Sequence, residues 1–127
     1  MTTPWADVDR AIRKTADTLI VVGFVNEWSP TSSHTSAALQ ALADECPRGA
    51  QIFVVDADAE DTKAWELGIE STPAILFYYN KEKLTVRRPG WEDDDKVCGA
   101  ASRAQLLDAV RGAVLAAREG DVLLVGF

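Results

Sequence analysis

The sequence predicts an α/β fold: a mixed sheet with helices packed on both faces, in a three-layer sandwich. Two patterns carry that prediction. Helical and extended segments alternate along the chain, then close on a hairpin and a last helix. The first extended segment, Leu19-Ile20-Val21-Val22-Gly23-Phe24-Val25, is almost wholly apolar, which marks a strand covered on both faces and therefore central. At 127 residues and 47% hydrophobic, the chain can build a core without staples. One domain spanning residues 1–127 is expected.

Thr3-Pro4 opens the first helix, with Thr3 as a possible cap, and Trp5, Val8 and Ile12 recur at helical spacing to about Ala16. Trp5 reads as a packing anchor, and Trp65 on the third helix also reads as core. After Leu19–Val25, a helix from Ser33 to Ala43 carries apolar Ala37, Ala38, Leu39, Leu42 and Ala43. Thr31 or Ser32 can cap it, and the Cys46-Pro47-Arg48-Gly49 run ends it. Ala50–Val55 is the second strand. The acidic run from Asp56 to Asp61 could bind a divalent metal. The stronger reading has Asp58 or Asp61 capping the next helix, Thr62 to Leu67, which stops at a left-handed Gly68.

Ala74–Tyr79 is the third strand, Asn80–Lys83 a turn, and Leu84–Arg87 its antiparallel partner. These four strands make the expected central sheet. The first two are parallel through crossover helices and the last two antiparallel through the hairpin. Arg88–Asp95 reads as a polar loop. Ser102–Ala117 is an amphipathic helix ended by Gly120. Asp121–Phe127 is an extra extended segment whose Val122, Leu123, Leu124, Val125 and Phe127 are too apolar to stay solvated. It is expected to dock on its own domain.

Composition narrows the function classes. A net charge of −7 opposes direct, strong nucleic-acid binding. No stretch approaches the ~20 apolar residues of a membrane span, and residues 1–13 lack the order of a secretory signal. Cys46 and Cys98 fit no metal spacing and read as free thiols of an intracellular protein. No cofactor is expected.

The junction Val25-Asn26-Glu27-Trp28-Ser29-Pro30-Thr31-Ser32 is strand, turn, helix. Trp28 at that turn, Leu67-Gly68-Ile69 after the third helix and Thr72-Pro73 before the next strand together resemble a thioredoxin. Thioredoxins place Trp-Cys-x-x-Cys at this junction, where the helix dipole lowers the thiol pKa. Here Ser29 and Ser32 stand at both Cys positions, and a hydroxyl cannot exchange with a disulfide. The thioredoxin buried carboxylate aligns with Gly23. The resemblance further implies that Pro73 follows a cis bond and lies beside the turn, and that the Ala74 strand runs antiparallel to the Leu19 strand.

Within that fold the chain resembles the Dim family, thioredoxin-like proteins of the spliceosomal tri-snRNP and their paralogues. Pro30 follows the first site directly, as in that family. The hairpin Leu76–Val86, the polar Glu92–Gly99 stretch and the Ala116–Val125 helix end with its apolar strand add to the match, while Ser32 departs from the family's Cys. The resemblance implies a nuclear, non-catalytic adaptor in pre-mRNA splicing, bound to spliceosomal proteins, with its oligomeric state left open. Trp28, Tyr78, Tyr79, Trp91 and Phe127 are candidate protein contacts. The alternatives are a scaffold or assembly chaperone outside the spliceosome, and a thiol-disulfide oxidoreductase using Cys46 and Cys98. A hydrolase built on Ser29 or Ser32 with His34 is disfavoured by their spacing.

Overall fold

The computed structural model describes residues 2–45 and 47–127. In chain order its elements are α1 (Trp5–Lys14), β1 (Leu19–Val25), α2 (Pro30–Glu45), β2 (Ala50–Asp56), α3 (Asp61–Glu66) and β3 (Ala74–Tyr79). There follow β4 (Glu82–Lys83), β5 (Val86–Arg87), β6 (Lys96–Cys98), α4 (Arg103–Glu119) and β7 (Leu123–Leu124).

The main sheet runs β2-β1-β3-β4, with β6 also paired to β3. β1 lies inside it, parallel to β2 and antiparallel to β3, with Val21 opposite both Ile52 and Phe77. All seven β1 residues are buried because successive side chains enter opposite layers. Leu19, Val21 and Val25 pack in one apolar cluster with Leu39 and Leu42 of α2 and Leu106 and Val110 of α4. Ile20, Val22 and Phe24 pack in a second with Val8 and Ile12 of α1 and Ala64 of α3. The three layers are therefore α2 with α4, the sheet, and α1 with α3.

The expected fourth strand, Leu84–Arg87, is corrected in two ways. Pairing along β3 occurs one step earlier, at Glu82–Lys83, and ends with the Leu84 amide on Phe77 O at 2.8 Å. Val86 and Arg87 then leave the main sheet and pair in parallel with Leu123 and Leu124. The remaining length of β3 is taken by β6, with Ile75 opposite Val97. No strand is expected over Lys96–Cys98 from the sequence, because the stretch buries only one apolar side chain, Val97, and is too short for a period-2 signal. The turn between β3 and β4 holds Asn80 and Lys81 at φ 48° and 76°, the left-handed pair that matches hairpin twist.

Helix ends follow local chemistry in part. Ser102 and Gln105 form a reciprocal capping box on α4, and Gly120 closes it at φ 68°. Thr3 does not cap α1. Pro4 occupies that position with no side-chain bond, and the Thr3 amide donates to Val54 O at 2.7 Å on the edge of β2. Trp5 packs on Phe24 with ring centres 5.9 Å apart, as expected of an anchor. Trp65 is corrected: it is 82% exposed, because α3 turns the adjacent Ala64 inward instead. The tail docks on its own chain, with Leu123 and Val125 buried, Phe127 partly so, and Leu124 outside.

Candidate functional site: a redox-type turn rebuilt from hydroxyls

β1 delivers the chain to Asn26, which is 9% exposed, and α2 begins at Pro30, whose fixed φ suits a first helical turn. The Ser29 amide donates to Asn26 O at 3.1 Å and the Ser33 amide to Ser29 O at 2.8 Å, so the turn runs directly into the helix. This start is three residues earlier than the sequence pattern gave. Ser32 consequently does not cap the helix. It sits in the first turn, fully buried, and its hydroxyl donates to Thr72 Oγ1 at 2.9 Å. The Thr72 hydroxyl in turn donates to Asn26 Oδ1. Three segments distant in sequence are joined by this chain: the end of β1, the first turn of α2 and the loop entering β3. The Thr72–Pro73 bond is cis, and Pro73 is buried beside this network, as the resemblance implied.

These side chains support no thiol chemistry at the turn. The second hydroxyl, on Ser32, is sealed from solvent and committed to Thr72, so it is not presented as a nucleophile to His34 or to a substrate. Gly23, at the place of the thioredoxin carboxylate, faces α2. A Cβ there would lie 2.4 Å from Leu39 Cδ1, so the space belongs to Leu39. Cys98 is in β6, and desolvation pushes its thiol above the ordinary value, away from the thiolate. Cys46 lies outside the described residues.

Trp28 is the exposed feature of the turn. It is 75% exposed, and its Nε1 donates to Asp58 Oδ2 at 2.7 Å, which fixes the indole against the β2–α3 loop. Asp58 therefore holds Trp28 and does not cap α3. Glu60 stands at that cap position without a side-chain bond, and Asp61 falls in the first turn. Asp56 orders the loop from below, its Oδ1 accepting from the Asp58 amide at 2.9 Å. The acidic run is thus spent on an indole and a turn, and among the described residues no group of three or more potential metal ligands forms.

The other candidate contacts separate by burial. Trp91 is 69% exposed, with the Arg88 guanidinium 5.3 Å from its ring centre. Tyr79 and Phe127 are half-buried against the α2–α4 layer. Tyr78 is corrected: at 7% exposure it belongs to the opposite core, and burial pushes its phenol up to about 12. Exposed Trp65 was missed. The signal was its place next to small, inward Ala64 in a helix too short to bury two faces.

The family model described as Mitosis protein DIM1 matches residues 1–126. The chain belongs to the DIM1 family. Thioredoxin-like protein 4B of Homo sapiens is 24% identical over 119 residues, covering 93% of this chain and 79% of that protein. The Mus musculus protein of the same name matches over the same extent at the same identity. Among solved structures, the chain is similar to Fasciola hepatica thioredoxin, with a TM-score of 0.67 at 22% identity over 84% of this chain and 91% of that one. A mutant thioredoxin from Halobacterium salinarum gives 0.68 at 15% identity, covering 89% and 88%. The thioredoxin fold is therefore shared, and in this DIM1-family chain the turn from β1 to α2 carries Ser29 and Ser32 and no cysteine.

Proposed function

We propose that the protein is a non-catalytic adaptor of the spliceosomal tri-snRNP that acts in pre-mRNA splicing, in the nucleus, through protein contacts. The observation that supports the non-catalytic part is the Ser32–Thr72–Asn26 hydroxyl chain, which ties up the second of the two serines at the turn, Ser29 and Ser32, where neither hydroxyl can exchange with a disulfide. Membership of the DIM1 family supports the splicing part. Trp28, held outward by Asp58, and exposed Trp91 are the proposed anchors, because large, pre-oriented aromatic side chains lose little freedom on binding. Tyr79 and Phe127 offer partly covered apolar surface elsewhere, Tyr79 opposite Leu19 at the far end of β1 from Trp28. The charge of −7 supports protein partners over RNA as the direct contact. No helix among the described residues is long and apolar enough to cross a membrane.

Affinity purification of the tagged chain from native extract tests this reading. Recovery of spliceosomal proteins and small nuclear RNAs, lost when Trp28 and Trp91 are both replaced by Ala, is the expected outcome. Repeated recovery of other assemblies would move the protein to a scaffold or chaperone role outside the spliceosome. Insulin reduction with dithiothreitol checks the enzyme alternative: turnover abolished by Cys98→Ser would establish an oxidoreductase.

A further inference from the structure

A groove of about 500 Å³ opens where the end of α2 and the following turn meet α4. Its apolar wall is built by Leu107, Val110, Val114 and Leu115, and Leu115 is 60% exposed. Arg48 and Arg111 stand at its edge. Arg118 reaches the same end of the groove: its Nη2 is 3.3 Å from where a Cβ on Gly49 would sit, with Val114 Cγ1 at 3.4 Å from that point. The carboxylate lining the groove, Glu45, is already ion-paired to Arg103. Among the described residues no ion pair engages Arg48, Arg111 or Arg118.

This is a local reversal of sign on a chain of net charge −7. Elsewhere Arg10, Arg13, Lys63, Lys83, Arg87 and Lys96 each meet a carboxylate, while Lys14, Lys81 and Arg88, the other cations without an ion pair among the described residues, lie apart from this groove. Three uncompensated guanidiniums around an exposed leucine match the composition of an interface, where Arg is enriched and charged residues are otherwise excluded from the apolar centre. Carboxylates suit the guanidinium fork, and aliphatic side chains suit the wall. A nucleic-acid backbone would satisfy the arginines and leave the leucines wet, against the field of an acidic protein.

We propose that this groove docks an acidic amphipathic segment of a partner protein. Aliphatic side chains at helical spacing seat on Leu107, Val114 and Leu115, and flanking carboxylates meet Arg48, Arg111 and Arg118. The site is distinct from the Trp28 turn, which lies at the other end of the 16-residue α2, about 24 Å along its axis. It does not depend on the spliceosomal reading.

Amide-resolved NMR titration of the full chain tests the proposal. The probes are two synthetic amphipathic peptides of about 16 residues with the same leucine stripe, one with Glu and one with Lys on its polar face, and a uridine oligonucleotide. The Glu peptide is expected to shift the amides of Arg48, Arg111 and Leu115, and to bind more weakly as salt is raised. Arg111→Glu should weaken it by about tenfold and turn the preference to the Lys peptide. Leu115→Ser, at an exposed position, should weaken it with the melting temperature unchanged. The proposal is overturned if the Glu peptide does not bind, if both peptides bind alike, if the shifts fall elsewhere, or if the oligonucleotide alone occupies the groove.

Discussion

A Cβ on Gly23 would lie well inside the contact distance of Leu39 Cδ1, and Leu39 is itself fully buried. Gly23→Ala should therefore cost about 1–3 kcal/mol by overpacking, and Leu39→Val in the same chain should recover part of it; urea unfolding of the single and double variants reads both. Loss of stability equal in the two would locate the strain elsewhere. The hydroxyl chain makes a second residue-level case. Thr72→Val keeps the shape of residue 72 but leaves the buried Ser32 hydroxyl and Asn26 carbonyl without their partner. A loss of about 1–3 kcal/mol is expected, again in urea. An unchanged midpoint would mean that water replaces the hydroxyl. Ser32 itself was legible as a missing nucleophile from its identity, but not as a buried link, because that depends on where α2 starts and on Thr72, distant in the chain.

Between β4 and β6, Asp95 accepts from Lys83 and from Lys96, both at 2.7 Å. Partial burial alone would raise its pKa, but the hydrogen bonds of Lys83 and Lys96 outweigh it and hold the carboxylate well below its usual range. A depressed folded-state pKa gives stability that is present above the unfolded value of about 4 and is lost as pH falls through the folded value. Asp95→Asn should thus lower stability near neutrality and flatten the loss on acidification below about pH 4. Urea midpoints at several pH values decide it, and parallel pH curves for the two proteins would contradict the assignment. The tail is the other element whose role is measurable. Deleting Asp121–Phe127 uncovers the sites of Leu123 and Val125 and removes the bonds to Thr85 O and Arg87 O. At ~1.5 kcal/mol or more per buried side chain, less ordering entropy, the deletion should cost roughly 2–4 kcal/mol. An equal melting temperature with loss of partner would make the tail an interface strand instead.

Across the molecule, the two apolar clusters lie on opposite faces of one sheet and share β1, each taking alternate side chains. Both layers depend on the register of β1, since a one-residue slip would exchange the faces. We expect a single cooperative transition, with near- and far-ultraviolet circular dichroism coinciding through thermal unfolding. Two separable transitions would show that the α1–α3 layer and the α2–α4 layer are independent units.

The sequence alone determined the alternation of helices and strands, the central place of Leu19–Val25, the left-handed Gly68, the helix end at Gly120, and the absence of sulfur at the Trp28 turn. Each rests on a local pattern or on residue identity, which neighbours three or four positions away are enough to encode. Only the tertiary structure decided that Lys96–Cys98 replaces Leu84–Arg87 along β3, that Val86–Arg87 pairs with the tail, that Tyr78 faces the core while Trp65 faces water, and that Asp58 holds Trp28. The physical reason is common to all four. Short strands carry too few residues for a period, and an aromatic or carboxylate is equally compatible with either face. Which pairing or burial wins is set by partners distant in the chain, from Ala74 opposite Cys98 to Tyr78 opposite Ile20, whose approach is fixed only when the layers close on β1.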